Sequence, residues 1–431
     1  MTDSAVDLVV VAAALLAIWR GLAVGVALAL SGLIGIAWHT ASPAAAFAVL
    51  GAETAGVLAR EPMWMAAFFL LMATALARSG LAARAFAGIA AAGGSRPRRL
   101  AVITAIFAGL LGAVSGSVLA SVGALRQMAR EALIAAGLPE AGAAALVAAG
   151  ASLSTLIPPS LVLVFYAAFA QLPVREVFLA ALPAGVLGTL LAALAAHFAT
   201  PRPAPRRRGD EPAGRSVHGE PTATAVFFGL FLLVFGLLYG GWMTALEVAA
   251  LGAFLACCWW FRDLARRGGW SVEAAAAGAE IAAILTVLLG AFVFSTYLAL
   301  SGLPEQVLAA VAGRDWPPVA VVVVLLAAYL LLGMVLEPIA LIVATLPLSL
   351  PVVEALGYSP LWWGAALASV AATGLLTPPM GLAVFTAGAG AAAPAAAVFR
   401  AAAPYLAADA LRLGIIVLWP GLATLLPRLL Q

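Results

Sequence analysis

The chain has 431 residues, of which 65% are hydrophobic and 10% charged, with a mean hydropathy of +1.11 and a formal net charge of +3. This composition excludes an ordinary soluble domain, and runs of about 20 apolar residues, enough to cross a bilayer, recur along it. The basic balance comes from arginine alone, since no lysine occurs; in a chain this apolar it marks membrane-flanking loops and not a nucleic-acid surface.

The opening run, MTDSAVDLVVVAAALLAIWR, has no small-residue cleavage pattern and reads as a first span, not a signal peptide. Spans are predicted at about 5–19, 22–38, 56–78, 139–170, 177–199, 223–239, 242–261, 277–300, 361–386 and 403–425. Two further stretches, about 100–130 and 318–350, are apolar but interrupted. The segment ATPRPAPRRRGDEPAGRSVHGEPTA, 199–223, is rich in proline, arginine and glycine and reads as a solvated linker. It separates a first half, 1–198, from a second, 224–431. The two cysteines, Cys257 and Cys258, are adjacent, so they point to different sides of a helix and suggest apolar filling, with no disulfide or metal site. His39, His197 and His218 fall near span ends or in a loop, which suits interfacial roles better than catalytic ones.

Arginine placement sets the orientation. With the linker in the cytoplasm, seventeen arginines fall inside and four outside, Arg60, Arg175, Arg314 and Arg428; Arg412 lies within the last span. Both termini are then external.

The halves resemble each other. RSGLAARAFAGIA at 78–90 parallels LSGLPEQVLAAVA at 300–312, and LIPPSLVLVF at 156–165 parallels LTPPMGLAVF at 376–385. Ser79 and Ser301 lie 222 residues apart, Pro158 and Pro378 lie 220 apart. Five predicted crossings separate the copies, an odd number, so the repeat is inverted. An inverted repeat with matched Gly/Pro-broken segments points to a secondary transporter with its site at mid-membrane.

The first interrupted stretch clusters Gly112, Ser115, Gly116, Ser117 and Ser121. Close helix packing through small residues accounts for this cluster as well as a re-entrant hairpin with its tip at Ser115–Ser117 does. Its counterpart, VVVVLLAAYLLLGMVLEPIALIVATLPLSLP, holds one charge before its end, Glu337, followed by Pro338. Adding the repeat offset to Gly116 lands on Glu337. A carboxylate at membrane depth is a functional candidate by default. The double prolines, Pro158–Pro159 and Pro378–Pro379, break helices where lipid cannot satisfy the freed backbone, so a ligand or neighbouring protein must. Thr155, Ser160, Thr373, Thr377 and Gly381 flank the breaks. Glu247, Glu280 and Asp409 receive no role. No nucleotide loop, zinc signature or nucleophile elbow occurs, and the sparse charges argue against a membrane-embedded enzyme.

GAVSGSVLASVGAL, LVAAGASLSTLIPPSLVLVFY, GMVLEPIALIVATLPLSLP and GLLTPPMGLAVF, in this order, resemble the large, DctM-like membrane subunit of TRAP (tripartite ATP-independent periplasmic) transporters, over about residues 20–425. The resemblance implies an all-α polytopic fold in the bacterial inner membrane, an inverted-repeat elevator-type transporter with two re-entrant hairpins and two broken helices. It implies sodium-coupled uptake of a carboxylate, such as a C4-dicarboxylate or a sialic acid. The partners would be a periplasmic binding protein and a small four-helix membrane subunit carried on a separate chain. Carried over, the first tip is Ser115, Gly116 and Ser117, the first break Pro158, Pro159 and Ser160. The second tip is Gly333, Glu337 and Pro338, the second break Thr377, Pro378, Pro379 and Gly381. Sodium ligands would be sought at Ser115, Ser117, Glu337 and Thr377; no other cofactor is implied. The chain departs from the family pattern at Glu337, where aspartate is usual, at Ala383, often asparagine, and at Ser154, commonly glycine. A stand-alone carboxylate symporter of the same architecture is the alternative.

Overall fold

The computed structural model describes residues 3–93, 96–201, 221–313 and 316–430, and among them all regular structure is helical. Helices α1 (Asp3–Trp19), α2 (Val24–Thr40) and α3 (Pro43–Ala59) precede a first unit. That unit comprises α4 (Glu61–Arg78), α5 (Leu81–Gly93), α6 (Pro97–Ser115), α7 (Val118–Ala135), α8 (Glu140–Ser152), α9 (Leu161–Ala170) and α10 (Val174–Ala199). Helices α11 (Pro221–Tyr239) and α12 (Ala245–Arg267) lead to a second unit. It comprises α13 (Trp270–Ser301), α14 (Leu303–Ala312), α15 (Pro318–Gly333), α16 (Pro338–Ala355), α17 (Pro360–Gly374), α18 (Leu382–Gly388) and α19 (Ala395–Leu418); α20 (Gly421–Leu429) closes the chain. The expected linker lies between α10 and α11, and its residues 202–220 are outside the described residues.

The two units repeat one another element by element, and their corners are built alike. Ser79 Oγ donates to the Leu76 carbonyl at 3.1 Å and accepts from the Leu81 amide at 3.4 Å. Ser301 Oγ makes the same two bonds, to Leu298 at 2.8 Å and from Leu303 at 3.2 Å. Gly80 and Gly302 follow, at φ +65° and +66°, a left-handed conformation that costs glycine nothing sterically. The sequence offset of 222 is therefore a structural equivalence at this corner.

Packing is reciprocal across the units. Helix α2 runs along α13 as α12 runs along α4; α8 meets α19 as α17 meets α10; α9 lies on α16 as α18 lies on α7. Small residues permit the closest of these approaches: a side chain at Gly25 or Gly290 would run into the opposing backbone of the α2–α13 pair.

Among the described residues, α10, α11, α12, α13, α16 and α19 are each long and apolar enough to cross a membrane, and the bent pair α3–α4 adds a seventh. Predicted spans 177–199, 223–239, 242–261 and 277–300 each fall within or almost wholly within one continuous helix. Two predicted spans need correction. The span at 56–78 is α4 plus the end of a separate helix, α3, with a 63° bend at Arg60. Helix α3 escaped detection because Glu53 interrupts its alanine-rich run; Thr296 donates to that carboxylate at 2.9 Å and Arg60 approaches it at 3.7 Å. The span at 403–425 crosses a real boundary, since α19 starts at Ala395 and ends at Leu418, just before Pro420, which has no amide proton to continue it. The segments 139–170 and 361–386 are helices interrupted at the double prolines, as their sequences suggested.

Candidate functional site

The two interrupted stretches fold as helix pairs, α6–α7 and α15–α16, each packed together around a short turn. Gly116, at φ +61°, ends α6, and Ser117 caps α7, its hydroxyl accepting from the Ala120 amide at 3.5 Å. In the second unit Met334–Leu336 form the turn and Glu337 caps α16, its carboxylate accepting from the Ile339 amide at 3.0 Å, with Pro338 at the first helical position. The counterpart of Glu337 is therefore Ser117, at the offset of 220 that also relates the prolines, and not Gly116. The longer second turn absorbs the difference. Ser115 closes α6, and its side chain lies outside the described residues. Ser121 is fully buried one turn into α7.

Each helix pair is seated on the break of its own unit. A β-carbon on Gly112 would lie 2.7 Å from Ser154 Cα, and one on Gly374 would lie 2.6 Å from the Gly333 carbonyl carbon. Gly112 and Ser154 thus occupy the places of Gly333 and Gly374. Beyond this contact the breaks differ. Pro158–Pro159 and Pro378–Pro379 both carry a cis peptide bond, yet the first pair is buried and the second exposed. Thr155 Oγ1 lies 3.0 Å from the Ser152 carbonyl and 3.1 Å from that of Ala368, tying the first break to α17. Ser160 Oγ donates to the Thr155 carbonyl at 3.0 Å. Thr373 and Thr377 both donate their hydroxyl protons back to α17, to the Ser369 carbonyl at 2.9 Å and the Thr373 carbonyl at 2.7 Å. Gly381, where a side chain would strike the Phe399 ring, caps α18.

A cavity of about 440 Å³ lies where the units meet, and it is lined by Ser117 from one tip and by Glu337 from the other. First-turn residues line it as well: Ala120 of α7, Leu161 of α9, and Ile339 and Ala340 of α16. Three helix N-termini therefore converge on one space, and N-termini favour negative charge. Elsewhere the walls are apolar side chains of α2, α4 and α13, apart from the polar cluster described next. Of the four residues proposed to hold a cation, the cavity brings together Ser117 and Glu337; Thr377 does not line it, nor do the exposed prolines of the second break. A carboxylate has about four lone-pair positions, so the amide bonds from Ile339 and Ala340 leave Glu337 able to bind more.

Sequence reading missed the polar cluster on the cavity wall. Thr74 of α4 donates to Glu280 Oε2 of α13 at 2.6 Å, and Arg78 bridges Glu280 at 2.9 Å and Glu273 at 2.7 Å. Thr74, Arg78 and Glu280 all line the cavity. A mirror cluster sits at the far end of the same helices, where Thr296, Glu53 and Arg60 meet. Thr74 and Thr296 are 222 apart, so the repeat offset was the signal that could have singled out both. Glu247, by contrast, forms a capping box with Thr244, and Asp409 pairs with buried Arg412 at 2.8 Å.

A chain of this hydropathy whose described residues are all helical, built as two interlocked units around a cavity where broken helices end, has the architecture of a membrane transporter. It matches the tripartite ATP-independent periplasmic transporter, DctM component, over residues 9–422, and belongs to that family. It is 28% identical to the C4-dicarboxylate TRAP transporter large permease DctM of Pseudomonas aeruginosa, over 84% of each chain. It is 26% identical to the DctM protein of Vibrio cholerae, over 95% of each. With the ectoine/5-hydroxyectoine TRAP large permease UehC of Ruegeria pomeroyi it shares 29%, over 71% of this chain and 72% of that one. Its fold is shared with solved structures of the Alcanivorax borkumensis YdaH transporter (TM-score 0.53, 16% identity, 87% and 88% coverage) and of Neisseria gonorrhoeae MtrF (TM-score 0.58, 15% identity, 86% and 83% coverage). The protein is thus a multi-pass TRAP large permease of the bacterial inner membrane.

Proposed function

We propose that the chain carries a small organic anion, a carboxylate by first preference, inward across the membrane with sodium as the coupling ion. The observation that carries this reading is the convergence of the α7, α9 and α16 N-termini on one cavity beside Glu337. The three helix ends supply positive potential for an anionic solute, while the Glu337 carboxylate and Ser117 hydroxyl supply oxygen atoms suited to a hard cation. Cation and anion would then neutralise each other in an apolar space where either alone is costly. Relatives named for C4-dicarboxylate, isethionate and sialic acid support the class of solute.

The TRAP architecture supports delivery by a periplasmic binding protein and work alongside a small membrane subunit. We further propose that the halves 1–198 and 224–431, joined by a cytoplasmic linker, are inverted copies. The two helix pairs enter the membrane from opposite sides and move with the broken helices past the remaining helices, as in an elevator.

Reconstitution with both partners tests the site. Glu337→Gln should lower sodium-driven uptake about tenfold or more, as for loss of a charged contact worth 1.4 kcal/mol or above, with assembly intact. Glu337→Asp should retain much of it. Near-normal uptake by the Gln variant would sink the role given to Glu337.

A further inference from the structure

A second cavity, of about 460 Å³, lies on the other side of Leu76 from the transport site, between α11, α12 and the turn from α4 to α5. Its walls are apolar: Leu81 forms part of the floor, and Leu233 and Leu255 flank the sides. Gly229 also lines it, and a β-carbon there would meet nothing within 4 Å, so the glycine keeps the slot open on the α11 side. From Leu255 to Arg262 the slot follows seven residues of α12, about 10 Å.

One end of the slot is different in kind. Arg262, which lines it, stacks over the Trp259 ring at 4.5 Å, and Arg84 approaches the same ring at 5.9 Å. Two guanidinium groups thus share one indole. Arg84 gives one bond to the Ser79 carbonyl at 2.9 Å, while its buried Nε has no partner among the described residues. Arg262 is exposed and has no hydrogen bond or ion pair there among the described residues. Asp263, next in sequence, projects to another side of the helix. Arg262 is thus a cation at the mouth of the slot with its donors unspent, and Arg84 adds positive charge on the same indole. The end in question lies near the start of α11 and the end of α12, the side that arginine placement assigns to the cytoplasm, and a tryptophan at that depth marks the membrane interface.

We propose that this slot is a binding site for an anionic phospholipid of the cytoplasmic leaflet. One acyl chain lies between α11 and α12, and the phosphate sits on Arg262 beside Trp259, with Arg84 adding positive charge from the α5 side of the same ring. An apolar slot ending in an arginine and a tryptophan matches the amphipathic profile of an anionic lipid; a peptide would need backbone partners that these walls lack. The acyl chain would rest on the α4–α5 turn, so the lipid would brace the corner from which α5 departs.

Native mass spectrometry of the full chain tests this, with phosphatidylglycerol and phosphatidylethanolamine of identical chains offered together. The wild type should retain phosphatidylglycerol preferentially. Arg262→Gln should lower that retention about fivefold, the loss expected for one interfacial cation, and leave phosphatidylethanolamine unchanged. Gly229→Phe, which fills the slot from open space, should lower both. Arg400→Gln, an exposed arginine elsewhere, should change neither. Undiminished phosphatidylglycerol on either Arg262→Gln or Gly229→Phe overturns the proposal. So does equal retention of the two lipids by the wild type. Arg262-dependent thermal stabilisation by inorganic phosphate matching that by phosphatidylglycerol would mark a free-anion site and also overturn it.

Discussion

Arg412 is the largest fully buried charge among the described residues, and it sits where α19 crosses α10 and α17. Its Nη1 lies 2.8 Å from Asp409 Oδ1, and its Nη2 donates to the Ser369 carbonyl of α17 at 3.4 Å. Nε of the arginine and Oδ2 of the aspartate have no hydrogen-bond partner among the described residues. Breaking such a pair leaves one charge uncompensated, whereas replacing both members by apolar residues of similar volume is often tolerated. Asp409→Asn should therefore destabilise by about 3–5 kcal/mol, and the double variant Asp409→Leu/Arg412→Met should recover most of the loss in thermal unfolding of the solubilised protein. If the double variant is as unstable as the single one, the pair contributes more than mutual neutralisation. Asp7 is held differently: its carboxylate receives Tyr297 at 2.8 Å and lies 2.7 Å from His39 Nε2, joining α1, α2 and α13. His39, in the last turn of α2, is thus held in a structural pair with Asp7.

At the scale of elements, the seating of each helix pair on its broken helix depends on which partner lacks a side chain. In the second unit, a β-carbon on Gly374 would penetrate the Gly333 backbone, while one on Gly333 would meet Leu341 Cδ2 at 3.4 Å, an ordinary contact. Gly374→Ala should cost about 1–3 kcal/mol, the range for overpacking, and Gly333→Ala much less. Comparable melting temperatures for the two would contradict the packing described. In the first unit Ser154 replaces Gly374, and the glycine with no room to spare is Gly112. The Ser154 departure from the family pattern is thus compatible with the same close approach. Element existence was legible in hydropathy and in the proline pairs. The bend at Arg60 was harder to read, because alanine-rich sequence is apolar on every side and hides helix boundaries, and the end of α19 at Leu418 was masked by an apolar run that continues past Pro420.

For the whole molecule, orientation is the testable quantity. With Cys257 and Cys258 changed to alanine, Asp210→Cys should react with a membrane-impermeant maleimide only from the cytoplasm. Leu356→Cys, between α16 and α17, should react only from outside. Labelling of both from one side would refute the inverted arrangement of the halves. Interlocking makes the halves interdependent, since α9 completes the surroundings of α16 and α18 those of α7. Their shared cavity exists only in the assembled pair.

Sequence alone determined that this is a polytopic membrane chain, that it is internally duplicated, and that the tips and double prolines are special. Each of these is written in local composition or in a constant offset, and neither needs a partner to be seen. Tertiary structure alone decided that Ser117, not Gly116, answers to Glu337, because the two turns differ in length and helix capping sets the register. It decided that one double proline is buried and its twin exposed, since burial depends on what the other unit lays over it. It also gathered Thr74, Arg78 and Glu280 onto the wall of the cavity that Glu337 lines. Those residues come from helices about 200 positions apart, and only packing could bring them together.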